Sequence, residues 1–494
     1  MTIEIMGFVI VAVGLLTIRY GPDFGIYALM ISTLFGAAAA VKLPALAHAN
    51  VLPAHALLPF YLIAVTRLPR GVDQAMRSLA YPSPGFWLAA FTAYAVLSAV
   101  FLPRLFAGQI EVFSIVRDVD GRGGTFTQFL GPSAGNITQS LYLIGDLAVF
   151  AAVCAHACGR GLAIVVKAVL AAAAANIGFA LADLVTYHMG MPDALEFMRN
   201  ANYGMLVEAE ISGFKRLVGS FSEASAFGGI TLVYFAFCFE LWLRGVHARA
   251  SGILTGLSLA AVLAATSSSA YVALGVYAAV ILLRGGAGLL AGITTKRAAI
   301  LTVALFIGTV LVVMALALVP PVWTSLSDFV DRTLFNKLHT QSGIERSLWN
   351  AHAMDAFFES GGIGVGVGSV RASSFIVAVL ANTGVIGLGL LMPMLASLAY
   401  RIVIGSRDRI AEAYAAAGGW ACFALLISAS LTASSVDLGL LFAINAAIVT
   451  AASLQGVAAV QDRLTERRRH PAWASARATR VYGRSNKGAQ SWTS

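Results

Sequence analysis

The sequence predicts an all-α polytopic integral membrane protein, a bundle of about 12–14 transmembrane helices, and three observations carry that prediction. Of 494 residues, 59% are hydrophobic and only 12% are charged, which is more apolar surface than one water-soluble core can bury. The apolar residues come in blocks of roughly 17 to 25, the length at which a helix crosses a ~30 Å hydrocarbon layer. The alternating segments of a membrane barrel are absent, so the backbone has to be satisfied within helices.

Hydropathy places thirteen spans near residues 3–19, 24–41, 51–66, 85–103, 136–157, 162–182, 226–243, 251–267, 270–284, 298–319, 373–400, 411–433 and 438–455. The first apolar run lacks a basic leader and carries Glu4, so it reads as a retained span. Residues 1–460 form the membrane domain, and residues 461–494, with RLTERRRH and further arginines, read as a basic, disordered cytoplasmic tail. Counting back from the tail, the loops with Arg19, Arg67, Arg160, Arg244, Arg284 and Arg401 share its side. These loops and the tail hold most of the 33 lysines and arginines, which supports the orientation, with the N-terminus outside.

The net charge of +9 is therefore accounted for by topology, and nucleic acid is not an expected partner. Cys154, Cys158, Cys238 and Cys422 all fall in apolar runs and read as small buried residues. His156 projects away from the Cys154–Cys158 face, so no metal motif is expected there. Three connections on the outer side are long: 104–135, 183–225 and 320–372. Connections beyond about 12–15 residues usually carry function, so the working surface is expected to face outward.

Within these loops, GFKRLVGSFSEASAFGG sets Lys215, Arg216 and Glu223 just ahead of a span, where a charge is costly unless it is paired or used. Headgroup snorkelling is the plain alternative. GIERSLWNAHAMDAFFES predicts an amphipathic helix over 343–360, with Arg346, Trp349, Asn350 and Ala353 on one face. It reads either as an interfacial helix or as one presenting Arg346 to an anionic headgroup. His352 lies roughly 120 degrees around that helix and reads first as structural. GGIGVGVGSVRASSF, residues 361–375, lacks both the dinucleotide and the P-loop signatures. Its glycines either bring backbone N–H groups and Arg371 to phosphate oxygens or form a flexible turn back to the membrane.

These pieces together resemble the O-antigen ligase and polymerase superfamily of bacterial inner-membrane glycan-joining enzymes, over roughly residues 205 to 400. The elements are R-x-x-G-S-F-x-E-x-S at Arg216–Ser225, TSSSAYVAL at Thr266–Leu274, R-x-x-W at Arg346–Trp349, and the glycine run followed by N-T-G-V-I-G at Asn382–Gly387. The stretch Phe129–Phe150 looks like one in exopolysaccharide polymerases of the group. Where family ligases show His-Asn, this chain has Ser373 and Ser374, which favours a polymerase.

The resemblance implies a GT-C-like fold and a donor of undecaprenyl-pyrophosphate-linked oligosaccharide met at the periplasmic face of the inner membrane. It also implies an enzyme without metal or cofactor, and a chain-length regulator and export machinery as partners beside the bilayer. The expected catalytic set is Arg216, Arg346 and Glu223, with Asp355 and His352 as alternative bases. The expected substrate-binding set is Arg371, Gly366, Gly368, Ser369, Lys215 and His352. Two rivals are a ligase that transfers finished glycan to another acceptor and a flippase for lipid-linked sugars. A flippase would rely on ionisable residues in or near spans, of which Lys167, Asp146 and Asp183 are the instances.

Overall fold

Every apolar block of the sequence forms helix in the computed structural model, which describes residues 2–44, 49–117, 123–201, 210–211, 214–292, 295–318, 341–404 and 408–469. In chain order the helices are α1 (Ile5–Tyr20), α2 (Pro22–Ser32), α3 (Pro53–Thr66), α4 (Gly71–Ser78), α5 (Pro84–Leu105), α6 (Ala134–Arg160) and α7 (Leu162–His188). After these come α8 (Ala224–Leu243), α9 (Ala248–Ala264), α10 (Ser268–Leu290), α11 (Lys296–Leu318), α12 (Gln341–Glu359), α13 (Phe375–Ile404), α14 (Arg409–Thr432) and α15 (Gly439–Arg469). Among the described residues seven helices, α5, α6, α7, α8, α10, α13 and α14, are long and apolar enough to cross a membrane. The protein is thus a helical, multi-pass membrane protein. Four further apolar helices are shorter: α1, α3, α9 and the Gly439–Leu454 part of α15.

The span expected over 24–41 is cut short. Helix α2 stops at Ser32, and Val41–Leu43 pairs as a strand (β2) between β1 (Thr2–Ile3) and β3 (Ala49–Val51). The intervening backbone is claimed by distant groups. Ser220 Oγ donates to Leu34 O, Ala201 N to Ala37 O, and Ala39 N to Asn200 Oδ1. Tertiary partners satisfying each peptide group can replace helix without an unsatisfied donor. The expected tail also starts later, because α15 continues through Arg469; residues 470–494 lie outside the described residues.

A hairpin that hydropathy passes over lies in the first long connection, where β4 (Glu111–Arg117) pairs antiparallel with β5 (Gly123–Phe129). Its alternating EVFSIVR and GGTFTQF, separated by a stretch containing Asp120-Gly121, carry a hairpin signal that a 17–25-residue window averages away.

The helix ends sort into two sets. At one end Asp23 binds His156 and Arg160, and Glu240, 1% exposed, binds Arg244 and Arg284, with Arg244 reaching Glu412. At the other end, here termed the loop end, lie the long connections. There a small apolar cluster joins Ile110, Val112 and Leu130 around the hairpin to Ala353 and Ala356 of α12 and to Val365, Val370 and Ala372 of the glycine run. Helix α12 thus lays one face on the bundle, as its amphipathic pattern requires.

Helix α13 is broken at Gly384, which has φ +63°, and the glycine run is laced into the break. Gly366 N donates to Asn382 O, Val365 N to Ala381 O and Val385 N to Gly362 O. A Cβ on Gly384 would lie 2.2 Å from Ile363 O, and one on Gly368 would lie 2.3 Å from Gly135 O. Both approaches are backbone to backbone, so neither neighbour can swing aside. Gly384→Ala is expected to lower stability in detergent by about 1–3 kcal/mol. Gly389→Ala, where the added carbon meets nothing within 4 Å, is expected to leave the melting temperature unchanged. Equal melting temperatures for the two variants would contradict this account of the break.

Candidate functional site

Three of the expected residues meet at the loop end, delivered by two separate parts of the chain. Glu223 caps the start of α8, and Arg346 stands on α12 with its Nη2 3.8 Å from Glu223 Oε1. That separation is a charge pair rather than a close hydrogen bond, and both side chains keep about a third of their surface exposed, at 29% for Arg346 and 36% for Glu223. Ser225 Oγ donates to Glu223 Oε1, which fixes the carboxylate from its own helix.

Arg216 lies beside this pair. Burial pushes its guanidinium down from the ordinary arginine value, while the Glu223 carboxylate and Tyr271 of α10 act in the opposite direction. Arginine stays protonated through such a shift, so the site retains a partly desolvated cation. Arg216 Nε is buried and, among the described residues, meets no hydrogen-bond acceptor. The same holds for Trp349 Nε1, one helical turn beyond Arg346. These two donors, one of them on Arg216 itself, together with the charge of Arg346 make a setting for an oxygen-rich anion.

The segment bearing Arg216 is held by a neighbouring charge network. Asp183, near the end of α7 and 1% exposed, accepts from Arg199 Nη2 at 2.6 Å and lies 2.6 Å from Lys215 Nζ. Its second oxygen accepts from the N–H groups of Val218 and Gly219. Lys215 is 3% exposed and also sits over the Tyr187 ring, at 5.1 Å. Expected to bind substrate, it instead anchors the loop through Asp183. Leu217 N donates to Ala264 O, which seats the same loop on the end of α9.

Arg371 lies over the Trp349 ring at 4.4 Å, which connects the glycine run to the helix carrying Arg346. The glycine N–H groups themselves are engaged. Gly364 N donates to Ser360 Oγ, Val367 N to Ser98 Oγ, Ser369 N to Gly366 O, and both Gly368 N and Val370 N to Asn382 Oδ1. The N–H groups of Gly366, Gly368 and Ser369, expected to meet phosphate, have protein partners in this structure and serve the fold. Ser369 Oγ accepts from Asn136 Nδ2 at 2.9 Å. Ser373 N donates to Asn350 Oδ1, so the serine standing where ligases show histidine is bound to α12 through its backbone.

His352 stacks on Phe113 of the hairpin with centroids 5.3 Å apart and rings 4° from parallel. Asp355 is exposed on the same helix. Sequence reasoning did not single out Tyr271, Trp349 Nε1 or the Asp183 network as parts of the site. R-x-x-W and SSSAY contained the first two, but only folding sets α10 against the 214–223 loop. Among the described residues no group of three or more His, Cys, Asp or Glu side chains is arranged to hold a metal ion.

No family model matches this chain, and no curated protein matches it.

Removing the Asp183 charge leaves Arg199 and Lys215 buried and unpaired. Asp183→Asn is expected to cost about 3–5 kcal/mol, read as a fall in the thermal midpoint of the detergent-solubilised protein. A midpoint within a degree of the parent would show that the network does not hold the loop.

Proposed function

We propose that this protein is a membrane glycosyltransferase that polymerises undecaprenyl-pyrophosphate-linked oligosaccharide repeats at the periplasmic face of a bacterial inner membrane. The observation that carries the reading is the site itself: Arg216 and Arg346 flanking Glu223, with the buried Arg216 Nε and Trp349 Nε1 lacking acceptors among the described residues. The GT-C-like architecture and the cytoplasmic C-terminus belong to the same proposal, as do a chain-length regulator and export machinery as partners. Support for them comes from the sequence resemblance and from the bias of lysine and arginine toward one set of loops.

The chemistry follows from the charges. A sugar hydroxyl of the acceptor repeat attacks the anomeric carbon of the donor, forming the new glycosidic C–O bond. The bond from that carbon to the pyrophosphate oxygen breaks, and the polyprenyl pyrophosphate departs with the electron pair. Arg216 and Arg346 neutralise the charge growing on it, each able to fork two hydrogen bonds to phosphate oxygens. Glu223 accepts the hydroxyl proton, and its loose contact with Arg346 can open to admit the anion.

Arg216→Ala and Arg346→Ala are each expected to cut polymer synthesis by about 10²–10³-fold while single lipid-linked repeats accumulate outside. Electrophoresis of surface glycan and extraction of lipid-linked sugars provide the measurements. Full-length polymer from both variants at normal protein levels would refute the assignment. Deletion that leaves long unattached chains would identify a ligase, and repeats trapped inside would identify a flippase.

A further inference from the structure

Two cavities at the loop end adjoin each other, and they differ in chemistry. The first, about 360 Å³, has a mixed wall whose polar part comes from Gln128 of the hairpin, Gln139 and Tyr142 of α6, Ser369 and Arg371 of the glycine run, and Ser434. The second, about 300 Å³, is a groove between α3 and α6 walled by Leu58, Pro59, Leu62, Leu141, Ile144 and Ala148. Both are lined by Ala49, Thr138 and Tyr142, so these three residues stand at their common boundary. Beside the groove, Leu141 is 56% and Ile144 45% exposed on a helix long enough to span the bilayer, so the groove opens sideways into lipid.

Where the two meet, polar atoms are left over. Asn50 is 6% exposed, and among the described residues neither its side-chain oxygen nor its nitrogen has a hydrogen-bond partner. Both ring nitrogens of His55, which packs on Tyr142 at 4.5 Å, are likewise buried without partners among these residues, as is Gln139 Oε1. A buried polar atom left unpaired costs about 1–3 kcal/mol, so five of them around one opening indicate a polar ligand there. The polar cavity is connected to the arginine pair through Arg371, Trp349 and the single helical turn back to Arg346.

We propose that the groove and the polar cavity form one site for the second, acceptor substrate, with its polyprenyl chain lying between α3 and α6 and its pyrophosphate and sugars in the polar cavity. The inference rests on the polymerase reading, which requires two lipid-linked substrates at once. A free oligosaccharide would fill the cavity and leave the apolar groove unexplained, and an ordinary phospholipid would leave the polar atoms at Asn50 and Gln139 unexplained.

The test uses the full-length protein in nanodiscs with a polyprenyl-pyrophosphate-linked repeat carrying a diazirine near the head of its isoprenoid chain. Mass spectrometry is expected to find cross-links on residues 58–62 and 141–148. Ala148→Trp, which fills the groove from a half-buried position, is expected to reduce them at least fivefold. Asn50→Ala, which removes polar atoms without adding bulk, is expected to weaken retention of the probe at least threefold in a protein with an unchanged melting profile. Cross-links confined to other helices would overturn the site, as would a groove labelled equally by a diazirine phospholipid that excess sugar lipid fails to displace. Polymer formation is measured separately on the same nanodiscs. An inactive parent protein whose groove is still labelled specifically would refute the polymerase reading and leave a lipid-linked saccharide site in place.

Discussion

The loop end of this protein depends on Asn382. Its side chain is fully buried and makes four hydrogen bonds to the backbone: Oδ1 accepts from Gly368 and Val370, and Nδ2 donates to the carbonyls of Val370 and Ala378. A spanning helix cannot be interrupted unless other protein groups satisfy the freed peptide groups. The glycine run does this for α13, with Val365 N, Gly366 N and Gly362 O taking up its backbone groups, and the Asn382 amide in turn holds the run in place. The run can then press against α5 and α6, with Asn136 donating to Val367 O and Ser369 Oγ. Arg371, and through it the packing under Trp349 and Arg346, inherits its position from that arrangement.

The second fixed point is electrostatic. Asp183 gathers Arg199, Lys215 and two backbone donors, so the loop bearing Arg216 is set by charge as well as by packing. A buried carboxylate between two cations is a poor source of net stability, because desolvation offsets most of the attraction. It does, however, strongly favour one loop geometry over others, since any displacement leaves a charge unpaired. This accounts for adjacent residues with opposite fates: Lys215 is drawn into the protein, while Arg216 faces Glu223 and Tyr271.

What was legible in the sequence divides along the range of the forces involved. Apolar length is a local property of the chain, and every expected span has a helix in the structure. The amphipathic period over 343–360 likewise predicted α12, though not that Ala353 and Ala356 would be its fully buried positions. The end of α2 was not legible, because Ala-rich sequence up to residue 40 is good helix material, and its backbone is diverted by Ser220, Asn200 and Ala201, far along the chain, together with Glu4 and Val51. The glycine run left two readings open for a related reason. Its spacing shows that backbones approach closely, but whether the partner is a phosphate or another peptide depends on Asn382 and Ser98, which the run itself does not contain. Arg216 and Glu223 drew notice because charge beside a span is costly wherever it folds, and Arg346 because it stands on an amphipathic helix; the structure brings the three close together.

The spacing of the charges at the site has a further consequence. If Arg346 and Glu223 were in tight contact, an incoming anion would have to break a full ion pair before either arginine could serve it. At 3.8 Å, with each partner about a third exposed, the pair gives up little when an anion displaces the carboxylate. Glu223 then remains held by Ser225, at the start of α8, and is free to accept a proton. Arg216 differs in that it is already partly desolvated and its Nε lacks an acceptor among the described residues, so an arriving oxygen gains a bond there without one being broken. The site therefore has one cation screened by a removable carboxylate and one without an acceptor at Nε among the described residues, an arrangement suited to an anion.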